Sequence, residues 1–161
     1  MGRHATLVSY CRKEKAGSLC AMLVRSAPLE LDVRAPKILK SLSEAGFFCT
    51  LINWERESNT LGIKFNRSEY IRISLNLKAP YGIVVSLFYP IWWLFVFILL
   101  MITRWDIAHA INFDCAVPVI IAGKLRGRPV IYEILDVYED QWEFPELLRK
   151  LLLFIDKILM R

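Results

Sequence analysis

Between Ile83 and Ile102 the chain carries no charged residue. About twenty apolar residues suffice to cross a bilayer as a helix, so this stretch restricts the fold more than any other. It is a membrane span, a helix buried against a core or another domain, or a helix lying in a membrane interface. Two features argue against the span. Pro90 divides the stretch and leaves about a dozen residues of uninterrupted helix, too few to cross. Short apolar runs that read as strands also flank it on both sides, and one crossing would put them on opposite sides of the membrane, where they could not share a sheet. Trp92, Trp93 and Trp105 suit an interfacial location, because indole rings prefer the headgroup level. Packing in the core or against another domain also accounts for them.

The rest of the chain alternates between two kinds of pattern. Residues 20–25 form a short apolar run that reads as a buried strand. Asp32 is placed to cap a helix that carries Pro36 in its first turn, shows Ile38, Leu39, Leu42 and Ala45 on one face, and closes at Gly46. Residues 47–52 read as a second strand, 53–68 as a polar loop, 70–74 as a third strand and 106–110 as a fourth. Asp114 is expected to cap a helix running through Leu125 and ended by Gly127 and Pro129, before a fifth strand over 130–135. An acidic loop follows, and Pro145 opens a last helix. Its apolar residues cover more than one face, while Arg149, Lys150, Lys157 and Arg161 add positive charge. Packing on a sheet face and lying basic on a membrane are its two readings. The alternation predicts an α/β fold, a Rossmann-like parallel sheet with helices on both faces. Residues 1–18 are expected to be an extension without the apolar core of a signal peptide, and residues 19–161 one domain.

Several function classes are excluded at this level. A mean hydropathy of +0.37 and 55% hydrophobic residues are incompatible with disorder. The net charge of +5 suits nucleic acid or an anionic membrane. No arginine-rich run, zinc knuckle or aromatic RNA-binding motif accompanies it, so no nucleic-acid partner is expected. The loop after the first strand, residues 26–32, contains no glycine, and Glu30 and Asp32 would repel a pyrophosphate. That argues against NAD or FAD. Neither a P-loop nor a GxSxG elbow occurs. Four cysteines without a CxxC, and two histidines outside zinc spacing, predict a reduced compartment and no metal.

One resemblance spans most of the chain. Residues 105–114, WDIAHAINFD, lead through a helix to residues 124–133, KLRGRPVIYE. Upstream, Leu23-Val-Arg-Ser, the turn Asp32-Val-Arg34, and Leu42 with Ala45-Gly46 precede them. Together these are similar to the N-terminal domain of nucleotide-sugar glycosyltransferases of family four, with the GT-B fold. The similarity runs over residues 20–161 and is strongest over 105–140. Many such relatives carry a histidine three residues after the tyrosine of the fifth strand. Here Tyr132-Glu-Ile-Leu135 puts Leu135 there.

The resemblance implies an acceptor-binding half that needs a C-terminal donor-binding domain or chain as partner and is inactive alone. It implies transfer of a sugar from a nucleotide-sugar to a membrane-associated or polysaccharide acceptor. The donor would be held by the other half, so no cofactor is expected here. In such enzymes the acceptor faces the donor across a cleft, and ligands of open α/β sheets lie at the carboxyl ends of the strands. That selects His109, Asp114 and Asp136 as catalytic candidates, and Ser26, Asp32, Arg34 and Asn112 as acceptor-binding candidates. Each has a plain alternative duty: a satisfied strand histidine, a helix cap, a solvated loop carboxylate or a surface arginine. Trp92 and Trp93 are the membrane-contact candidates. The expected location is the cytoplasm, including its face of the cell membrane. Two rival readings stay open: a non-catalytic, membrane-attached module serving a separate glycosyltransferase, and a flavodoxin-like small-molecule domain.

Overall fold

A computed structural model describes residues 18–67, 69–80 and 82–135. Asp136, the acidic loop, the helix expected from Pro145 and the extension over 1–17 lie outside the described residues. In chain order the elements are β1 (Cys20–Arg25), α1 (Arg34–Glu44), β2 (Phe48–Glu55), β3 (Gly62–Arg67), β4 (Ile71–Asn76), α2 (Tyr89–Ile102), β5 (Ile107–Ile111), α3 (Phe113–Arg126) and β6 (Val130–Glu133). Short 3-10 turns cover Leu29–Leu31 and Ile83–Phe88.

The protein is an α/β fold. Six strands form one sheet in the order β3-β4-β2-β1-β5-β6, parallel throughout except for the antiparallel edge pair β3–β4. The chain builds outward from β1 in one direction, then crosses to β5 and builds the other way. The order therefore reverses between β1 and β5, which is the Rossmann-like arrangement, and the switch leaves a crevice at their carboxyl ends.

Period-2 alternation assigns the two faces. Met22, Val24, Ile52, Trp54, Ile73, Ala108 and Ala110 point to the face covered by α2 and α3. Ala21, Leu23, Cys49, Leu51 and Ile111 point to the other face, where α1 brings Ala35 and Leu39. Asp32 starts α1 as expected: its Oδ1 accepts from the N–H groups of Arg34 at 2.9 Å and Ala35 at 3.1 Å. Gly46, at φ 88°, closes it, with Phe47 N–H donating to Leu42 O and Gly46 N–H to Ser43 O. This pair of hydrogen bonds needs a left-handed conformation that glycine alone adopts without steric cost.

Pro90 falls in the first turn of α2, where its missing N–H has no helical partner to lose, so it opens the helix instead of dividing it. Strands on both sides of α2 share the sheet, so a transmembrane crossing at this point is incompatible with the fold. The helix is keyed inward by stacked indoles, Trp92 on Trp54, with centroids 5.8 Å apart. Its far end is capped by Arg126, whose guanidinium donates to Leu100 O and Thr103 O and lies over the Trp105 ring.

Two further expectations are corrected. Residues 53–68 are not one loop: β2 runs on to Glu55, and 62–67 form β3. An edge strand exposed on both sides has no need of an apolar face, so its Lys64 and Asn66 read as loop chemistry. The cap of α3 is not Asp114 but Asn112, at φ 69°. Asp114 is the second residue of the helix, within its first turn, and is buried.

Candidate functional site

The crevice at the switch point is framed by the loop leaving β1 and the start of α3. Ser26 and Asn112 sit at its two sides, both buried. Asn112 takes a positive-φ backbone, φ 69° with ψ 164°, outside the left-handed helical region and rarely adopted by a residue with a side chain. Its N–H donates to Glu133 O at 2.8 Å, and its Oδ1 accepts from Leu135 N–H at 2.9 Å. Its polar atoms therefore fasten the end of β6 to β5. Ser26 meets the Cys115 thiol. Cys115 is wholly enclosed, and burial, with the nearby Asp114 carboxylate, pushes its thiol pKa well up, which keeps it protonated and a poor nucleophile. Asp114 has its main-chain O bound by the indole N–H of Trp93 at 2.8 Å, tying α2 to α3.

Asp32 is committed in the same way. Its Oδ2 accepts from Arg25 Nε at 2.7 Å while its Oδ1 caps α1. Burial works to raise its pKa, but the Ala35 and Arg34 N–H groups and the Arg25 guanidinium outweigh that and hold it below the usual carboxylate range. Burial likewise works to lower the pKa of Arg25, and Asp32 overrides it, so the net shift is upward.

On the α1 side of the carboxyl rim, Arg34 is exposed and Glu133 partly so, while His109 beneath them is largely enclosed, with Nε2 itself buried. Glu133 joins His109 and Arg34: Oε2 lies 3.0 Å from His109 Nε2, and Oε1 lies 3.6 Å from Arg34 Nη1. His109 is two residues inside β5, paired in register with Leu23 and Ile131, and reaches Glu133 diagonally across the sheet. The carboxylate sits off the line of the ring N–H, so the contact is electrostatic and not a directed hydrogen bond. Burial lowers the His109 pKa, and Glu133 opposes that only in part. The imidazole is therefore neutral near pH 7 and able to take a proton, with a carboxylate beside it to stabilise the cation formed. Arg34 is the exposed member, its side chain 61% accessible.

Next along the same rim is a cluster with no counterpart among the expected residues. Asn53 Oδ1 accepts from Ser74 Oγ at 2.7 Å and Arg72 Nε at 3.2 Å. Asn53 Nδ2 donates to Glu55, and Arg72 pairs with Glu55. The register Asn53↔Ser74 places both on the α1 face. Among the described residues no helix covers this part of the sheet, because β3 occupies the connection where a parallel crossover would otherwise carry one. Polar residues at every second position, 53 and 55 in one strand and 72 and 74 in the next, were the available signal.

Of the expected acceptor-binding residues, then, Ser26, Asp32 and Asn112 turn their polar atoms inward, and Arg34 reaches the surface beside His109. Asp136 lies outside the described residues. Trp92 has no accessible surface and cannot touch a bilayer; Trp93 is half-buried with its N–H engaged. Among the described residues, no group of three or more His, Cys, Asp or Glu side chains has the arrangement of a metal site. No family model, curated protein or solved structure matches the chain.

Proposed function

We propose that this chain is the acceptor-side half of a GT-B glycosyltransferase, acting with a separate donor-binding domain or chain on a membrane-associated or polysaccharide acceptor. The observation that carries the reading is the Glu133–His109 contact beside Arg34 at the carboxyl rim, on the strand of the D-x-x-H-A pattern. His109 orients or deprotonates an acceptor hydroxyl, Glu133 stabilises the imidazolium, and Arg34 meets an anionic group of the acceptor. Asp136, three residues past the end of β6 at Glu133 in the sequence, is the further carboxylate candidate. The nucleotide-sugar is held by the other half.

The test is transfer of labelled sugar from nucleotide-sugar donors to membrane extracts. The chain alone should give no transfer, and the chain supplemented with a GT-B donor-binding domain should give transfer that His109→Ala lowers by about 100-fold or more. Robust turnover by the chain alone would overturn the half-enzyme reading. A second reading, a non-catalytic module that tethers a glycosyltransferase at the membrane, is favoured by one observation, the accessible apolar surface of α2. It predicts a supplemented activity indifferent to His109→Ala.

A further inference from the structure

The 3-10 turn and α2 together form the one segment of the described residues long and apolar enough to cross a bilayer, over Val84–Ile102, yet only 28% of its most apolar window is buried. A core helix would be mostly enclosed. Its inward side is complete: Trp92, Val96, Leu99 and Leu100 pack on the sheet. The outward side carries Leu87, Ile91, Leu94, Ile98, Met101 and Ile102, all accessible, with Leu87 at 75% and Leu94 at 60%. From Ile91, steps of three, four and three residues make this a single stripe along α2, with Leu87 one step ahead in the 3-10 turn. Beside it α3, packed against α2, exposes Ile121 and Leu125. Isolated apolar side chains on a surface need no explanation, but a contiguous stripe of this length does.

Charge decides between occupants. Arg104, just past the end of α2, and Lys124 and Arg128, at the end of α3, are exposed beside the last turns of the stripe. Arg128 pairs with Asp106 at 2.9 Å. These cations lie at the amino ends of β5 and β6, the end of the sheet opposite the carboxyl rim. A domain facing that rim across a cleft would leave Ile98 and Met101 uncovered. An apolar stripe bordered by lysine and arginine matches a bilayer surface that carries anionic headgroups.

We infer that the outer face of α2 is a monotopic membrane-docking surface: the stripe lies in the acyl boundary of an anionic bilayer, and Arg104 and Lys124 meet its headgroups. The tryptophans of the same helix serve the core instead. This docking stands independently of any sugar-transfer activity.

The experiment is flotation of the full chain with vesicles of phosphatidylcholine, with and without phosphatidylglycerol, at low and high salt. The chain is expected to float with the anionic vesicles, less at high salt. The variant Ile91→Glu/Leu94→Glu/Ile98→Glu should lose binding by about 100-fold, because each carboxylate must stay in water. Arg104→Gln/Lys124→Gln should lose about 5-fold per cation on anionic vesicles only. Leu61→Glu/Ile63→Glu, exposed on the far sheet edge, should float like the wild type. On the unmodified chain, anionic vesicles should protect Met101 from hydroxyl-radical oxidation, which gives a readout that needs no substitution to fold. A wild-type chain that does not float overturns the inference. So does a stripe variant that floats normally, equal loss from the control variant, or unchanged Met101 oxidation. A wild-type dimer that the stripe variant splits, without vesicle binding, would assign the stripe to a second copy of the chain.

Discussion

The indole of Trp92, on α2, stacks on the indole of Trp54, on β2, with ring planes 19° apart and centroids separated by 5.8 Å. Both side chains are wholly buried. Trp54 donates its N–H to Leu77 O at 2.8 Å, while Trp92 Nε1 has no partner among the described residues. Their difference sets an asymmetric expectation. Trp92→Ala should destabilise by about 3–5 kcal/mol through the cavity it leaves. Trp92→Phe should cost about 1–2 kcal/mol less than Trp54→Phe, because only the latter strands a carbonyl acceptor. Urea unfolding of the variants measures both, and equal costs for the two phenylalanine variants would contradict the hydrogen-bond assignment.

Asp32 is expected to be the most sensitive carboxylate among the described residues. Removing it deletes a helix cap and leaves Arg25 half-desolvated, so Asp32→Ala should cost about 2–4 kcal/mol. Its folded pKa lies below the unfolded value near 3.9. The stability it contributes is therefore complete above that value and is lost as pH falls through the folded pKa. Chemical denaturation between pH 5 and pH 2, the range about those values, should be flatter for Asp32→Asn than for the wild type.

His109 works the same way at higher pH. Its folded pKa is lowered below the unfolded value of about 6.5, so the unfolded chain binds the proton first as pH falls. Stability should drop from about pH 7 downward, and His109→Gln should lessen that drop. Glu133→Gln removes the carboxylate that opposes the shift, so the His109 pKa followed by NMR should fall further. A rise would mean that Glu133 does not face the imidazole in solution.

Gly123 allows α3 to lie against β6. A Cβ there would stand 2.4 Å from Val130 Cγ2 and 3.2 Å from Arg128 O. Alanine is favoured over glycine within a helix by about 1 kcal/mol, yet overpacking costs about 1–3 kcal/mol, and the stiff β-branched valine cannot swing away. Gly123→Ala should therefore destabilise on balance. Val130→Ala should be destabilising alone but partly compensating in the double variant, a non-additivity read from a double-mutant cycle.

The local patterns of the chain determined a good deal. Apolar runs marked the five parallel strands to within a few residues, and Asp32 and Gly46 marked the ends of α1. Such signals are local: a capping carboxylate or a left-handed glycine acts on neighbours within a turn of itself. The α/β class followed from their alternation. Tertiary structure alone decided which strands touch, because pairing joins residues far apart along the chain. Ile73 meets Ile52, and His109 meets Glu133, only once the order β4-β2-β1-β5-β6 exists. Edge strand β3 was illegible for the same reason, since the exposure it tolerates is a property of its place in the sheet. The sheet also fixed which way each side chain faces. Ser26, Asp32 and Asn112 look like ligand-binding residues in a linear reading, yet their polar atoms satisfy the backbone and side chains around them. Trp92 looks like a membrane anchor and is core. Periodicity and residue type say that a side chain will be buried or bonded, but the free energy that chooses its partner comes from packing the whole sheet between its helices.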